Sequence, residues 1–307
     1  MHDHSHRHNH SHDDHHDHHH GATGQVLWIA LMATLGFAVV EAVAGWWSGS
    51  LALLGDAGHM FSDSTALGLA ALAAWVARRP PSTRHSYGLG RAEVVAALVN
   101  ALLMLAVVTG IVVHAVERLQ SPVPVRGAAV LGVAALGLGV NVAVALLLSR
   151  GGGGLNVRAA LLHVLGDLLG SVAALLSGAV ILYTGWTPID PLLSLLICAI
   201  ILFSSLRLLR EALHILMEGV PAHITLEEVG RRMAAGDGVR EVHDLHVWTL
   251  SSGHVALSAH VVVEDLGAWP AVLTGLRVRL EEEFGITHTT LQPEPLDRPL
   301  RPMPYPR

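Results

Sequence analysis

From residue 26 to residue 209 the chain is a series of long apolar runs separated by short polar or turn-forming segments. A bilayer core about 30 Å thick needs roughly 20 apolar residues of helix. Runs of that length at 26–47, 51–77, 92–116, 125–149, 155–183 and 188–209 predict six membrane-spanning helices. The breaks between them are chemically legible: Ser48-Gly49-Ser50, Arg78-Arg79-Pro80-Pro81, Ser121-Pro122-Val123-Pro124, the glycine loop at 151–154, and Gly185-Trp186-Thr187-Pro188. Beyond the sixth run the periodicity changes. A helical pattern at 226–235 precedes strand patterns at 239–250 and 255–264, an amphipathic helix at 268–284 and a last strand at 286–291. That order predicts a small α+β domain of ferredoxin-like αββαβ arrangement. Four regions follow: a His-rich disordered tail at 1–23, a six-helix membrane domain at 24–210, a cytoplasmic domain at 211–294 and a Pro-rich tail at 295–307.

Composition strengthens the membrane reading. Hydrophobic residues make up 51% of the 307 residues, charged residues only 14%, and the mean hydropathy is +0.48, which excludes a soluble pair of domains, a collagen-like fibre and wholesale disorder. A formal net charge of −6 without a basic tract gives no footprint for nucleic acid. Arginine placement sets the orientation, since positive charge in short loops stays cytoplasmic. Arg78, Arg79, Arg84, Arg91, Arg150, Arg158, Arg207 and Arg210 flank one side, against Arg118 and Arg126 on the other, so both termini are expected in the cytoplasm. The first 20 residues lack an apolar stretch and do not read as a cleaved signal. All 19 basic residues are arginine, which reads as GC-rich coding and points to a bacterial inner membrane. The single cysteine, Cys198, excludes an internal disulfide and a cysteine metal cage.

Ionisable residues inside a span are costly, so each is a functional hypothesis. The second run contains Asp56, His59 and Asp63; the fifth contains His163 and Asp167. His59-x-x-x-Asp63 and His163-x-x-x-Asp167 share one spacing, which places each pair on one helix face about 6 Å apart. Two imidazoles and two carboxylates suit a closed four-coordinate Zn²⁺ site. Polar glue between helices is the alternative, but glue does not require the same motif twice at matching depth.

The chain resembles the cation diffusion facilitators, in their zinc-transporting branch. The resemblance runs from Trp28 to Glu294 and is carried by Glu41-Ala42-Val43-Ala44-Gly45, the stretch from Ser50 to Asp63, Tyr87-Gly88-Leu89-Gly90-Arg91-Ala92-Glu93, His163-Val164-Leu165-Gly166-Asp167, and Val242-His243-Asp244-Leu245-His246-Val247-Trp248. It implies a homodimer of six-span protomers with cytoplasmic metal-binding domains, exchanging Zn²⁺ for protons across the lipid bilayer. Zinc requires neutral imidazole and ionised carboxylate, so loading the tetrad displaces protons and protonation releases the metal. Alternating exposure of one site to the two sides then yields antiport without nucleotide hydrolysis.

Three sets among the remaining histidines bear on metal binding. Eleven of the 22 lie in residues 1–20, interleaved with aspartates, and read as a loose metal-capture segment rather than an uninterrupted purification tag. His243, His246, His260 and His288 fall on predicted strands; simple alternation puts His243 and His246 on opposite faces, and puts His288, Thr290, Gln292 and Glu294 on one face if the strand continues past Pro293. The family's cytoplasmic zinc ligands map onto His243, His260 and Glu294, with His288 a further candidate. In the loop after the second span, His85 matches a family metal position whose partner, four residues on, is Leu89 here. Broader Cd, Co or Ni export, a membrane-bound metal sensor or store, and an intramembrane metalloenzyme are the competing readings. The enzyme reading suffers because four protein ligands leave no open position for substrate.

Overall fold

The computed structural model describes the backbone of residues 18–150, 155–251 and 253–297 and the side chains of 29–149, 161, 164–251 and 253–297. The first 17 residues of the His-rich segment, the glycine loop, the end of the Pro-rich tail and the side chain of His163 lie outside the described residues.

Six long helices come first: α1 (His18–Ser48), α2 (Leu51–Ala77), α3 (Ala92–Gln120), α4 (Gly127–Arg150), α5 (Leu155–Thr184) and α6 (Ile189–Leu216). Each is long and apolar enough to cross a bilayer. α3 and α6 run past the predicted ends at 116 and 209, because Glu117, Arg118, Arg207 and Arg210 continue the helices at polar ends. Two compact units divide the chain. One comprises residues up to Ser64 with Val107–Ile200, and the other Thr65–Ala106 with Ile201–Arg307.

In the first unit, small residues let helices approach closely, as bilayer packing requires. A Cβ at Gly178 would sit 2.5 Å from Leu131 N and 2.8 Å from Leu131 Cα, and one at Gly127 would sit 2.8 Å from Leu182 N, so α4 and α5 meet backbone to backbone at both places. Buried Ala52 and Leu53 of α2 pack with Val130 and Ala134 of α4 and Ala174 of α5. The turn between α1 and α2 uses Gly49 at φ 74, a left-handed conformation that glycine adopts without steric cost. Its carbonyl accepts from Arg118, and the Arg126 guanidinium lies 4.3 Å from the Trp47 ring.

The second unit contains the αββαβ domain: α7 (Leu226–Ala234), β1 (Val239–Ser251), β2 (His254–Val263), α8 (Trp269–Phe284) and β3 (His288–Pro295). The sheet order is β1-β2-β3, with β1 antiparallel and β3 parallel to β2. Val229 and Met233 of α7 and Val272, Leu276 and Leu280 of α8 bury with Val255, Leu257, Val261 and Val263 on one face of the sheet. α8 starts with Pro270 in its first turn and stops at Gly285, φ 68. β3 outruns its predicted end at 291 and includes Pro293 and Pro295. A proline without a donor is tolerated there because, among the described residues, β3 is an edge strand paired with β2.

Candidate metal centres

α2 presents His59 and Asp63 one turn apart, and α5 presents Asp167 beside them. His59 Nε2 lies 3.4 Å from Asp63 Oδ2 and 3.9 Å from Asp167 Oδ1. One potential ligand atom from each of the three residues falls within 4.8 Å of the others. At these separations the three side chains converge closely enough that they could share one ion. The Asp167 side chain is fully buried, whereas those of His59 and Asp63 are 24% and 19% exposed, leaving one side of the cluster reachable. His163 sits on α5 one turn before Asp167.

A further polar layer surrounds this cluster. Asp56, one turn before His59 on α2, is 1% exposed and hydrogen-bonds with Ser171 of α5. The amide of the buried Asn141 donates to Ser171 Oγ at 3.1 Å. Glu41 of α1 is completely buried, with both carboxylate oxygens lacking a hydrogen-bond partner. Gly170 makes room for Asp56, since a Cβ there would stand 2.8 Å from the carboxylate carbon.

The second cluster lies on the sheet face opposite α7 and α8. His243 of β1 pairs in register with His260 of β2. Glu294 of β3, 2% exposed, reaches both: His243 Nε2 is 3.0 Å from Oε2 and His260 Nδ1 is 2.6 Å from Oε1. The side-by-side imidazoles meet edge to face at 5.2 Å. Asp244 Oδ2 stands 3.7 Å from His243 Nδ1.

Here the expected alternation along β1 needs correction. His243 pairs with His260 and His246 with Ser258, so three steps on β1 oppose two on β2. Asp244 absorbs the extra residue as a β-bulge, at φ 47. The bulge returns His246 to the face of His243 instead of the opposite one. His288, at the exposed start of β3, makes its ring contact with Tyr87 at 5.8 Å and stands apart from the His243–His260–Glu294 cluster. His85 is exposed in the α2–α3 loop, where it lines a cavity of about 1010 Å³ together with Arg84, Tyr87, Arg91, His246 and Trp248. Cys198 is buried.

Six apolar helices with an intramembrane His/Asp cluster, followed by an αββαβ domain, define an integral membrane protein that handles cations. Residues 27–217 match the cation efflux transmembrane domain and residues 221–296 the cytoplasmic domain of cation efflux proteins. The chain belongs to the cation efflux family, a family of transporters rather than of enzymes. It is 44% identical over 275 residues to the zinc transporter ZitB of Shigella flexneri, covering 88% of each chain. It is 37% identical over 280 residues to the cadmium, cobalt and zinc/H(+)-K(+) antiporter of Bacillus subtilis (strain 168), covering 89% of this chain and 90% of the relative. The solved metal-bound C-terminal domain of the CzcD transporter from Cuprividus metallidurans is 41% identical, covering 23% of this chain and 99% of that domain, with a TM-score of 0.22.

Proposed function

We propose that this protein exports Zn²⁺ in exchange for protons, by alternating access to a site made of His59, Asp63, His163 and Asp167. The observation that carries this reading is the convergence of His59, Asp63 and Asp167 from two different membrane helices, with one potential ligand atom from each within 4.8 Å of the others. Two carboxylates compensate the 2+ charge of the ion, and the borderline imidazoles favour zinc over harder cations. Protons compete for the same lone pairs, so an inward proton gradient unloads the site on the far side. The names of the relatives support both the cargo and the coupling, and the Bacillus relative supports a range extending to cadmium and cobalt.

In the same proposal the protein works as a homodimer in a bacterial inner membrane with both termini cytoplasmic. The domain at 211–294 holds a regulatory zinc through His243, His260 and Glu294. These residues fit an ion: His243 Nδ1 and His260 Nδ1 are buried and lack hydrogen-bond partners, and His260 meets Glu294 without hydrogen-bond alignment. A metal held there supplies a cross-brace between strands, not chemistry.

The test is zinc uptake into proteoliposomes containing the purified protein and an internal zinc-sensitive dye. An imposed proton gradient, acidic inside, should accelerate uptake, and dissipating it with an ionophore should abolish the acceleration. Uptake indifferent to the gradient would remove the antiport. Tight zinc binding without any uptake would favour a sensor or store.

A further inference from the structure

We propose that Asp244 is a fourth ligand of the cytoplasmic metal site, delivered by the β-bulge, so that one protomer supplies a closed set of His243, Asp244, His260 and Glu294. This rests on the proposal that the cytoplasmic domain binds zinc.

Adjacent residues on a regular strand point to opposite faces. His243 and Asp244 do not, because Asp244 takes φ 47 and inserts one residue into the β1–β2 pairing. Aspartate tolerates the left-handed region better than most residues, yet the conformation remains uncommon outside glycine. Such a kink in an otherwise regular ladder re-aims a side chain. Its result is that Asp244 Oδ2 stands 3.7 Å from His243 Nδ1, with ligand atoms of His243, Asp244 and His260 all within 4.8 Å of one another.

The imidazole of His243 is committed at its other nitrogen. Nε2 donates to Glu294 Oε2 at 3.0 Å, which leaves the lone pair on Nδ1. That Nδ1 is buried and makes no hydrogen bond. At 3.7 Å the approach of Asp244 is too long for a hydrogen bond. Two ligands at about 2.0–2.2 Å from a tetrahedral zinc lie roughly 3.3–3.6 Å apart, so a small closure around an ion brings both atoms into place. Glu294 would then have two roles: Oε1, 2.6 Å from His260 Nδ1, would join the ligand set, while Oε2 holds the tautomer of His243. Two imidazoles and two carboxylates give a neutral zinc site and leave no vacancy for a ligand from a second chain.

The experiment uses the full-length protein in detergent, titrated with zinc against a chromophoric chelator. A His243→Ala, His260→Ala double variant identifies by subtraction the ion held in the cytoplasmic domain. Asp244→Asn and Asp244→Gly then separate the side chain from the backbone, since asparagine and glycine both accept φ above zero. Loss of the carboxylate should weaken that one ion at least tenfold in both variants, and the visible spectrum of Co²⁺ bound in its place should change. The apo proteins should unfold at the wild-type temperature. If either variant keeps wild-type zinc affinity, Asp244 is not a ligand. If the double variant binds as many ions as the wild type, the cytoplasmic zinc reading itself fails, and Asp244 with it.

Discussion

The hydroxyl of Ser50 donates to Asp190 Oδ1 at 2.5 Å, joining the start of α2 to the start of α6 across 140 residues of sequence. Asp190 Oδ2 accepts from Leu51 N at 2.6 Å, and Oδ1 also accepts from Ser177 Oγ at 3.1 Å. A buried carboxylate thus satisfies the first turn of the helix that carries His59 and Asp63, where the helix dipole favours negative charge. Asp190→Ala leaves two hydroxyls and one amide without their acceptor and should lower stability by about 3 kcal/mol. Asp190→Asn keeps one carbonyl acceptor and should lose less. Thermal unfolding in detergent measures both, and an alanine variant as stable as wild type would show the tie to be incidental.

Replacing any of His59, Asp63, His163 or Asp167 by alanine should reduce zinc flux to background while the protein elutes at its normal size. Near-normal flux in two of these variants would end the assignment of the transport site. His59→Asp exchanges an imidazole for a hard oxygen ligand and should shift preference toward Mn²⁺ or Cd²⁺ instead of abolishing transport. Competition between metals in the flux assay reads the shift.

Deleting residues 1–20 should lower the number of zinc ions bound at equilibrium and leave maximal flux at saturating zinc unchanged. Eleven histidines are removed, all of them before the first span. A fall in maximal flux of correctly folded protein would make the segment part of the conduction path.

Arg232 of α7 grips Glu283 of α8, with Nε 2.5 Å from Oε2. The hydrogen bond from Arg232 holds the Glu283 carboxyl below its ordinary value of 4.5. A depressed carboxylate stabilises the fold above its unfolded pKa, and that contribution disappears as pH falls through the lower folded value. Both side chains reach solvent, so the effect is small and weakened by salt. Amide exchange in α7 and α8 should therefore accelerate in wild type as pH drops below about 4.5, after correction for intrinsic rates. Glu283→Gln should already show the faster exchange at neutral pH and gain little more on acidification.

Much of this architecture was legible in the residue pattern because its causes are local. Six apolar runs stop at glycine, proline or arginine clusters, and the switch to period two announces β1 and β2. The repeated His-x-x-x-Asp spacing singled out His59, Asp63 and Asp167, which lie together. The faces of β1 were not readable, since a single residue, Asp244, reverses the parity that His243 and His246 otherwise obey. Nothing in the composition near Asp244 marks a bulge. The end of β3 was misjudged because Pro293 normally argues against a strand, and only the edge position revealed by the sheet order makes it harmless. Asp190 escaped notice because its hydroxyl partners, Ser50 and Ser177, lie 140 and 13 residues away in the sequence.

At Gly127 and Gly178 backbone atoms of α4 and α5 stand so close that an added Cβ would clash, and the two helices interlock there. Mechanically the two helices form one stiff beam, with Asp167 fixed to it. Under the proposed alternating access, a stroke that separates Asp167 from His59 should therefore carry α4 along as passive cargo. A covalent bridge between α4 and α5 should leave turnover intact, whereas a bulky residue at position 178 should bend the beam and misplace the acid at its centre.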